Sequence, residues 1–215
     1  MSHGIPAHSR VKRLPERAAY DQETIYKILD EALICHVGFV IDGQPFVIPT
    51  IHARRDDTLL LHGATTSRMI KHIQTGNPIC VETTLLDGLV IARAVFHNSM
   101  NYRSVVLFGS GHLITDADEK YEALRVLTDR VYPGRWDDSR LPNAKEMKAT
   151  SIVEISITSA SAKLRAGGPK DDAKDYAGAW WAGVIPLEQK YHTPVNDEKL
   201  RAGIVVPPYL KKYKR

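Results

Sequence analysis

The sequence predicts a mainly β protein with few α-helices, built as an antiparallel barrel or sandwich rather than a parallel doubly wound sheet. Three observations carry this expectation. Short apolar runs rich in β-branched residues recur along the chain, hairpin-type turns join most of them, and only a few stretches combine helical spacing with caps.

The chain opens with a basic, proline-containing arm over residues 1–20. Asp21 is the predicted cap of a first helix, because Ile25, Ile28, Leu29, Ala32 and Leu33 follow at helical spacing. Residues 35–41 read as a strand, and Asp42-Gly43 is a two-residue hairpin signal before a second strand over 44–54. Arg55-Asp56-Asp57 turns the chain into a short strand over 58–62. Gly63-Ala64-Thr65-Thr66 then leads to a helix from about Ser67 to Thr75, with Gly76 at the left-handed C-cap position and Pro78 beyond it.

Strands resume over 79–86, turn at Asp87-Gly88 and return over 89–96. After the polar loop His97-Asn98-Ser99-Met100, a long strand is expected over 102–113, bent where Gly109 and Gly111 interrupt it. Thr115 caps a predicted helix over 116–131, with Tyr121, Leu124, Leu127 and Val131 on one face, and Tyr132-Pro133-Gly134 stops it. Residues 151–158 form the last strand the pattern gives. No Pro/Gly/Ser linker divides the middle, so the expected organisation is an arm (1–20), one domain (21–190) and a basic tail (191–215).

Hydrophobic residues make up 43% and charged residues 25%, the balance of a globular chain able to bury a core. The 29 basic residues only slightly exceed the 25 acidic ones, and much of the excess sits in Lys211-Lys212-Tyr213-Lys214-Arg215. A terminal excess of that kind predicts a solvated tail and no nucleic-acid partner. Cys35 and Cys80 lie in apolar runs without CxxC spacing, which predicts buried free thiols in a reducing compartment. No apolar run has signal-peptide or membrane-span length, so a cytoplasmic protein without membrane contact is expected.

Most conventional sites fail on spacing. Gly109-Ser110-Gly111 precedes no helix, Gly167-Gly168-Pro169-Lys170 lacks the Walker spacing, and neither GxSxG nor HExxH occurs. His36, His52, His62, His72 and His97 show no recurring short spacing with Cys or carboxylate, so no metal site is expected. A haem stays open, since one axial His needs no motif.

One constellation remains. Ser67 at a helix start gives an anion backbone and hydroxyl donors, Arg68 adds a planar fork, and Lys71, one turn on, adds a point charge. The same letters also describe an ordinary capped helix with basic residues in solvent.

The ordered series Val47-Ile48-Pro49-Thr50, Leu61-His62-Gly63-Ala64, Ser67-Arg68, Val81-Glu82-Thr83-Thr84-Leu85-Leu86-Asp87-Gly88-Leu89-Val90 and Ser99-Met100-Asn101-Tyr102-Arg103-Ser104-Val105 resembles the pyridoxamine 5′-phosphate oxidase-like superfamily. It is most similar to the flavin-nucleotide-binding branch that includes nitroimidazole-resistance-type proteins. Ala162-Lys163-Leu164-Arg165, Gly168-Pro169-Lys170-Asp171-Asp172 and Trp181-Ala182-Gly183-Val184-Ile185-Pro186-Leu187 extend the likeness, which covers about residues 20–190.

The resemblance implies a split antiparallel β-barrel of the FMN-binding type, dimeric, with FMN in a groove between the subunits. It also implies that Val47, Ile48, Pro49, Thr50 and Ile51 run along the flavin ring and that Ser67 and Arg68, with Lys71 nearby, take the phosphate. Asn101, Tyr102, Arg103 and Ser104 approach from a neighbouring strand, with Arg103 placed to favour the reduced, anionic ring. His62 and Trp181 complete the implied cofactor-binding set, Trp180 and Trp181 being able to cover an aromatic ring. Residues 191–215 lack the Trp and paired Arg motif with which the oxidase proper grips its substrate, so pyridoxamine phosphate oxidation is not the leading expectation.

The leading expectation is an FMN-dependent oxidoreductase with NAD(P)H as donor and a nitro compound, quinone or other small acceptor. No side chain is needed as nucleophile or essential base. Two rivals stand beside it: a barrel that stores or degrades haem on His62 or His97, and a flavin carrier or sensor without turnover.

Overall fold

The first helix starts where Asp21 accepts a hydrogen bond from Thr24 N at 2.8 Å, as its sequence predicts. The computed structural model describes residues 6–213, so Met1 to Ile5 of the arm and Lys214 and Arg215 of the tail lie outside it. The strands in chain order are β1 (Ala18–Ala19), β2 (Ile34–Ile41), β3 (Gln44–Arg55), β4 (Thr58–Ala64), β5 (Ile79–Ile91), β6 (Ser99–Gly109), β7 (Gly111–Leu113), β8 (Thr150–Ser156), β9 (Ala160–Arg165) and β10 (Gly183–Pro186). The α-helices are α1 (Gln22–Glu31), α2 (Arg68–Gln74), α3 (Ala117–Val131), α4 (Ala144–Ala149) and α5 (Pro208–Lys211).

All strand pairs are antiparallel, in the order β1-β9-β6-β5-β2-β3-β4-β8-β7, with β10 added beside β5. The β2–β3 hairpin turns on Asp42 and Gly43, whose φ values of 50° and 77° match the right-handed twist of the flanking strands. β6 and β7 are consecutive in the chain but lie far apart in the strand order, and so do β8 and β9. The chain therefore crosses from one half of the sheet to the other through α2 between β4 and β5, at Ser110, and again between β8 and β9. This makes a split barrel.

Strand alternation divides the apolar residues into two cores. Leu59 and Leu61 point inward with Val37, Ile70, Val81 and Leu107, while Leu60, on the other face of β4, packs with Ala53, Ile152 and α3 residues Ala123 and Leu127. Burying a side chain of this size stabilises by roughly 1.5–3 kcal/mol, so the two clusters supply most of the favourable energy.

Several elements differ from expectation. Asp87-Gly88 is not a hairpin turn: β5 runs on to Ile91, with a register shift between Leu86 and Gly88. Gly88 is required because β10 packs against it, and a Cβ there would meet Ile185 O at 2.9 Å. The expected return strand over 89–96 ends at Ile91, and Val95–His97 is a 3-10 turn. Ser99 and Met100, expected in a loop, belong to β6. Asp116 rather than Thr115 caps α3, accepting from Glu119 N at 2.8 Å.

The strand expected over 102–113 is two, broken at Ser110 between the two glycines. The sequence pattern missed β9, β10 and α4. In the terminal segments, β1 pairs with β9, Ser9 is 2% exposed with its hydroxyl 2.7 Å from that of Ser159, and the Tyr213 hydroxyl donates to Val131 O. Cys35 is buried and Cys80 half-buried, both as free thiols.

Candidate functional site

The β3–α2 corner brings part of the expected set together. On β3, Phe46 and Ile48 lean against the inner core, so alternation turns Val47 and Pro49 outward, and Val47 is 67% exposed. Ser67 caps α2, accepting from Ile70 N at 3.5 Å, while Met69, Ile70 and Ile73 bury the opposite side of the helix. Arg68 lies over the Phe46 ring, 4.6 Å from its guanidinium carbon to the ring centre. Neither Arg68 nor Lys71 pairs with a carboxylate among the described residues. A surface groove of about 520 Å³ runs past Val40, Pro45, Phe46, Val47, His72 and Phe108. That volume is within the usual range for small-molecule sites.

Thr50 and Ile51 are half-buried further along β3, the Thr50 hydroxyl donating to Ile51 O at 3.4 Å. His62 on β4 is half-buried, and neither ring nitrogen has a hydrogen-bond partner among the described residues; its Nδ1 is wholly buried. Burial pushes its pKa down, which keeps the ring neutral. Trp180 and Trp181 are each 65% exposed and fold back over glycines: a Cβ at Gly178 or Gly183 would strike their rings.

The four residues expected to approach from β6 do not act together. Arg103 turns toward α1, donating to Asp87 at 2.9 and 2.7 Å and to both carboxylate oxygens of Glu31. Those hydrogen bonds raise its pKa and hold the Glu31 carboxyl below the usual range. Arg103 thus lines a cleft of about 620 Å³ beside Leu187, Glu188 and Tyr191 with its charge already matched by two acids. Asn101 is 9% exposed; its amide donates to Gly167 O at 3.1 Å and its oxygen accepts from Arg165. The Ser104 hydroxyl donates to Lys163 O at 3.3 Å. Tyr102 keeps a hydroxyl without a partner among the described residues.

The sequence pattern missed Asp171, whose carboxylate accepts from Arg93 N at 2.9 Å and Ala94 N at 3.2 Å and pins the 166–177 loop to the turn after β5. That pinning brings His97, Asp172 and Asp175 together, their ligand atoms within 4.8 Å of one another, although their sequence spacing gave no metal motif. Only the loop contact could have revealed them.

The strand order and the crossings between its halves place the fold in the class of split β-barrels. The pyridoxamine 5′-phosphate oxidase family matches residues 21–164, and the chain belongs to that family. It is 40% identical to the flavocytochrome Anf3 from Azotobacter vinelandii over 97% of both chains, with a TM-score of 0.93. It is 37% identical to an FAD and haem binding protein from Mycobacterium smegmatis over 89% of this chain and 94% of that one, with a TM-score of 0.86. A 5-nitroimidazole antibiotic resistance protein from Bacteroides thetaiotaomicron shares the fold at 24% identity and a TM-score of 0.58, covering 68% of this chain and 86% of that one. No protein of curated function matches the chain. No described helix is long and apolar enough to cross a membrane.

Proposed function

We propose that the protein is an FMN-binding flavoprotein oxidoreductase that moves hydride or electrons from a reduced nicotinamide to a small acceptor such as a nitro compound or quinone. The observation that carries the reading is Arg68 stacked on Phe46 beside the bare Val47: a cation with no carboxylate partner among the described residues, at a capped helix start next to an apolar wall. Membership of a flavin-binding family supports it. Ser67, Arg68 and Lys71 would hold the phosphate, and the backbone of Val47 to Ile51 would border the ring. Bound flavin would supply the electron transfer; the chain supplies position, charge and exclusion of water. Ile34, Val40 and Val47, on one outward face, expose apolar surface suited to a second copy of the chain across the flavin groove.

The test is to release and identify the ligand of the purified protein, then to follow reduction by NADH with a panel of acceptors. Protein that holds no flavin and binds none when it is added refutes the reading. Bound flavin that no donor reduces would make the protein a carrier.

A second reading adds haem. Two relatives are described as a flavocytochrome and as an FAD and haem binding protein, and His62 in this chain is a neutral imidazole with no hydrogen-bond partner on either nitrogen among the described residues. It fits an axial ligand better than His97, whose Nε2 is 3.7 Å from Asp172. Bound haem would add one-electron chemistry at its iron. An intense Soret band that is lost in His62→Ala and returns with added imidazole supports this reading; a band unchanged in that variant removes His62 from it.

A further inference from the structure

Most arginines inside this fold are matched with acids: Arg54 with Asp30, Arg55 with Glu154, Arg93 with Asp171 and Arg103 with Asp87. Arg165 at the end of β9 is not. It is 9% exposed, and its guanidinium donates to Asn101 Oδ1, to Gly167 O at 3.2 Å and to Gly168 O at 3.0 Å, all uncharged acceptors. The β1–β9 pairing sets Ala18 opposite Lys163, which brings Arg17 to the same end of β9. The half-buried Arg17 side chain has neither hydrogen bond nor ion pair among the described residues. Tyr102 stands directly across from Arg165 on β6, and its hydroxyl has no hydrogen-bond partner among the described residues.

A buried cation without a counter-charge costs stability, and a second like charge beside it adds to that cost. Burial and then the neighbouring Arg17 pull the Arg165 pKa below its usual value, which agrees with the geometry. We propose that Arg17, Tyr102 and Arg165 form a phosphoryl-binding site at the junction of the N-terminal segment and the end of β9. A phosphoryl group would neutralise both guanidinium groups, accept from the Arg17 fork and from the Arg165 N–H groups that Asn101, Gly167 and Gly168 leave over, and take the phenol O–H as a further donor. Two sources fit this chemistry. One is the second phosphate of a dinucleotide flavin, which rests on the flavin reading above; the other is a free phosphate or pyrophosphate, which does not.

The experiment titrates the purified wild type, Arg17→Gln and Tyr102→Phe with pyrophosphate, FMN and FAD, with near-UV circular dichroism to confirm native packing. Arg17 has no side-chain hydrogen bond or ion pair to lose among the described residues, so its variant, which keeps most of the side-chain length, mainly removes the charge. Wild-type protein is expected to bind pyrophosphate, and Arg17→Gln to bind it roughly tenfold more weakly or worse. A parallel loss for FAD with FMN unchanged assigns the group to a dinucleotide; unchanged FMN and FAD assign it to a free anion. No pyrophosphate binding by the wild type, equal affinity in the variants, or equal losses for FMN and FAD would overturn the second site. Failure of both flavins to bind the wild type, with pyrophosphate still bound, would overturn the flavin reading and leave this site standing.

Discussion

Arg103 grips Asp87 through two hydrogen bonds, at 2.9 Å from Nε and 2.7 Å from a terminal nitrogen, at the point where β5 slips register against β6. With Glu31 on the same guanidinium, one side chain ties α1, the bulge and β6 together. All three groups are partly exposed, so solvent screening limits the gain. Arg103→Met should lower stability by about 1 kcal/mol in urea unfolding. An unchanged midpoint would show that the clamp contributes nothing.

Acid should unfold the protein partly through Glu31. Its carboxyl is held below the usual range by the Arg103 hydrogen bonds, so their stabilisation is fully present above the ordinary carboxylate pKa and fades as pH falls through the lowered folded value. In Arg103→Met the loss on acidification should be shallower, read from stability against pH between neutral and strongly acidic buffer. Identical curves for the two proteins would exclude Glu31 as a contributor.

Arg68→Ala should weaken flavin binding by roughly 1–3 kcal/mol through loss of charge-assisted hydrogen bonds. Quenching of flavin fluorescence on titration measures it. A dissociation constant equal to that of the wild type would place the phosphate elsewhere.

Gly111 has no room for a side chain: a Cβ would lie 2.6 Å from Ile73 Cγ2 and 2.9 Å from Glu154 O. The backbone oxygen cannot yield as a flexible side chain would. Gly111→Ala should therefore cost roughly 1–3 kcal/mol, visible as a lower thermal midpoint. Gly43→Ala is the contrast, since open space surrounds that residue and only its positive φ of 77° resists substitution.

Burial pushes the Cys35 thiol up to about 12, so it stays protonated at neutral pH. In the folded protein Cys35 should resist a maleimide that labels it readily in denaturant, as peptide mass mapping would show. Equal labelling in both states would contradict its burial in the inner core.

What could be read from the sequence depended on whether the cause of a residue was local. Asp42-Gly43 was legible because both residues take the left-handed backbone the turn itself demands. Asp87-Gly88 spells the same signal for another reason: Gly88 makes room for Ile185 O on a strand distant in sequence. Strand β9 carries Ala160, Ser161 and Ala162, too small to give an apolar rhythm, and β10 is only four residues long. At the site, Ser67 and Arg68 are adjacent at a helix start, so their pairing is legible as a local motif. Asp87 reaches Arg103, and Arg17 the Arg165 end of β9, through strand pairing, while Glu31 reaches Arg103 from α1, all over long separations that no window along the chain displays.

The crossings of the split barrel also govern how the molecule can be dissected. Because the chain passes between halves at Ser110 and again between β8 and β9, neither half can be excised as an autonomous fragment. Each piece would keep strands whose ladder partners had left with the other, exposing raw edges prone to aggregation. New termini for a permuted or tagged variant belong instead at the exposed Asp42-Gly43 tip, where opening the backbone severs none of these crossings.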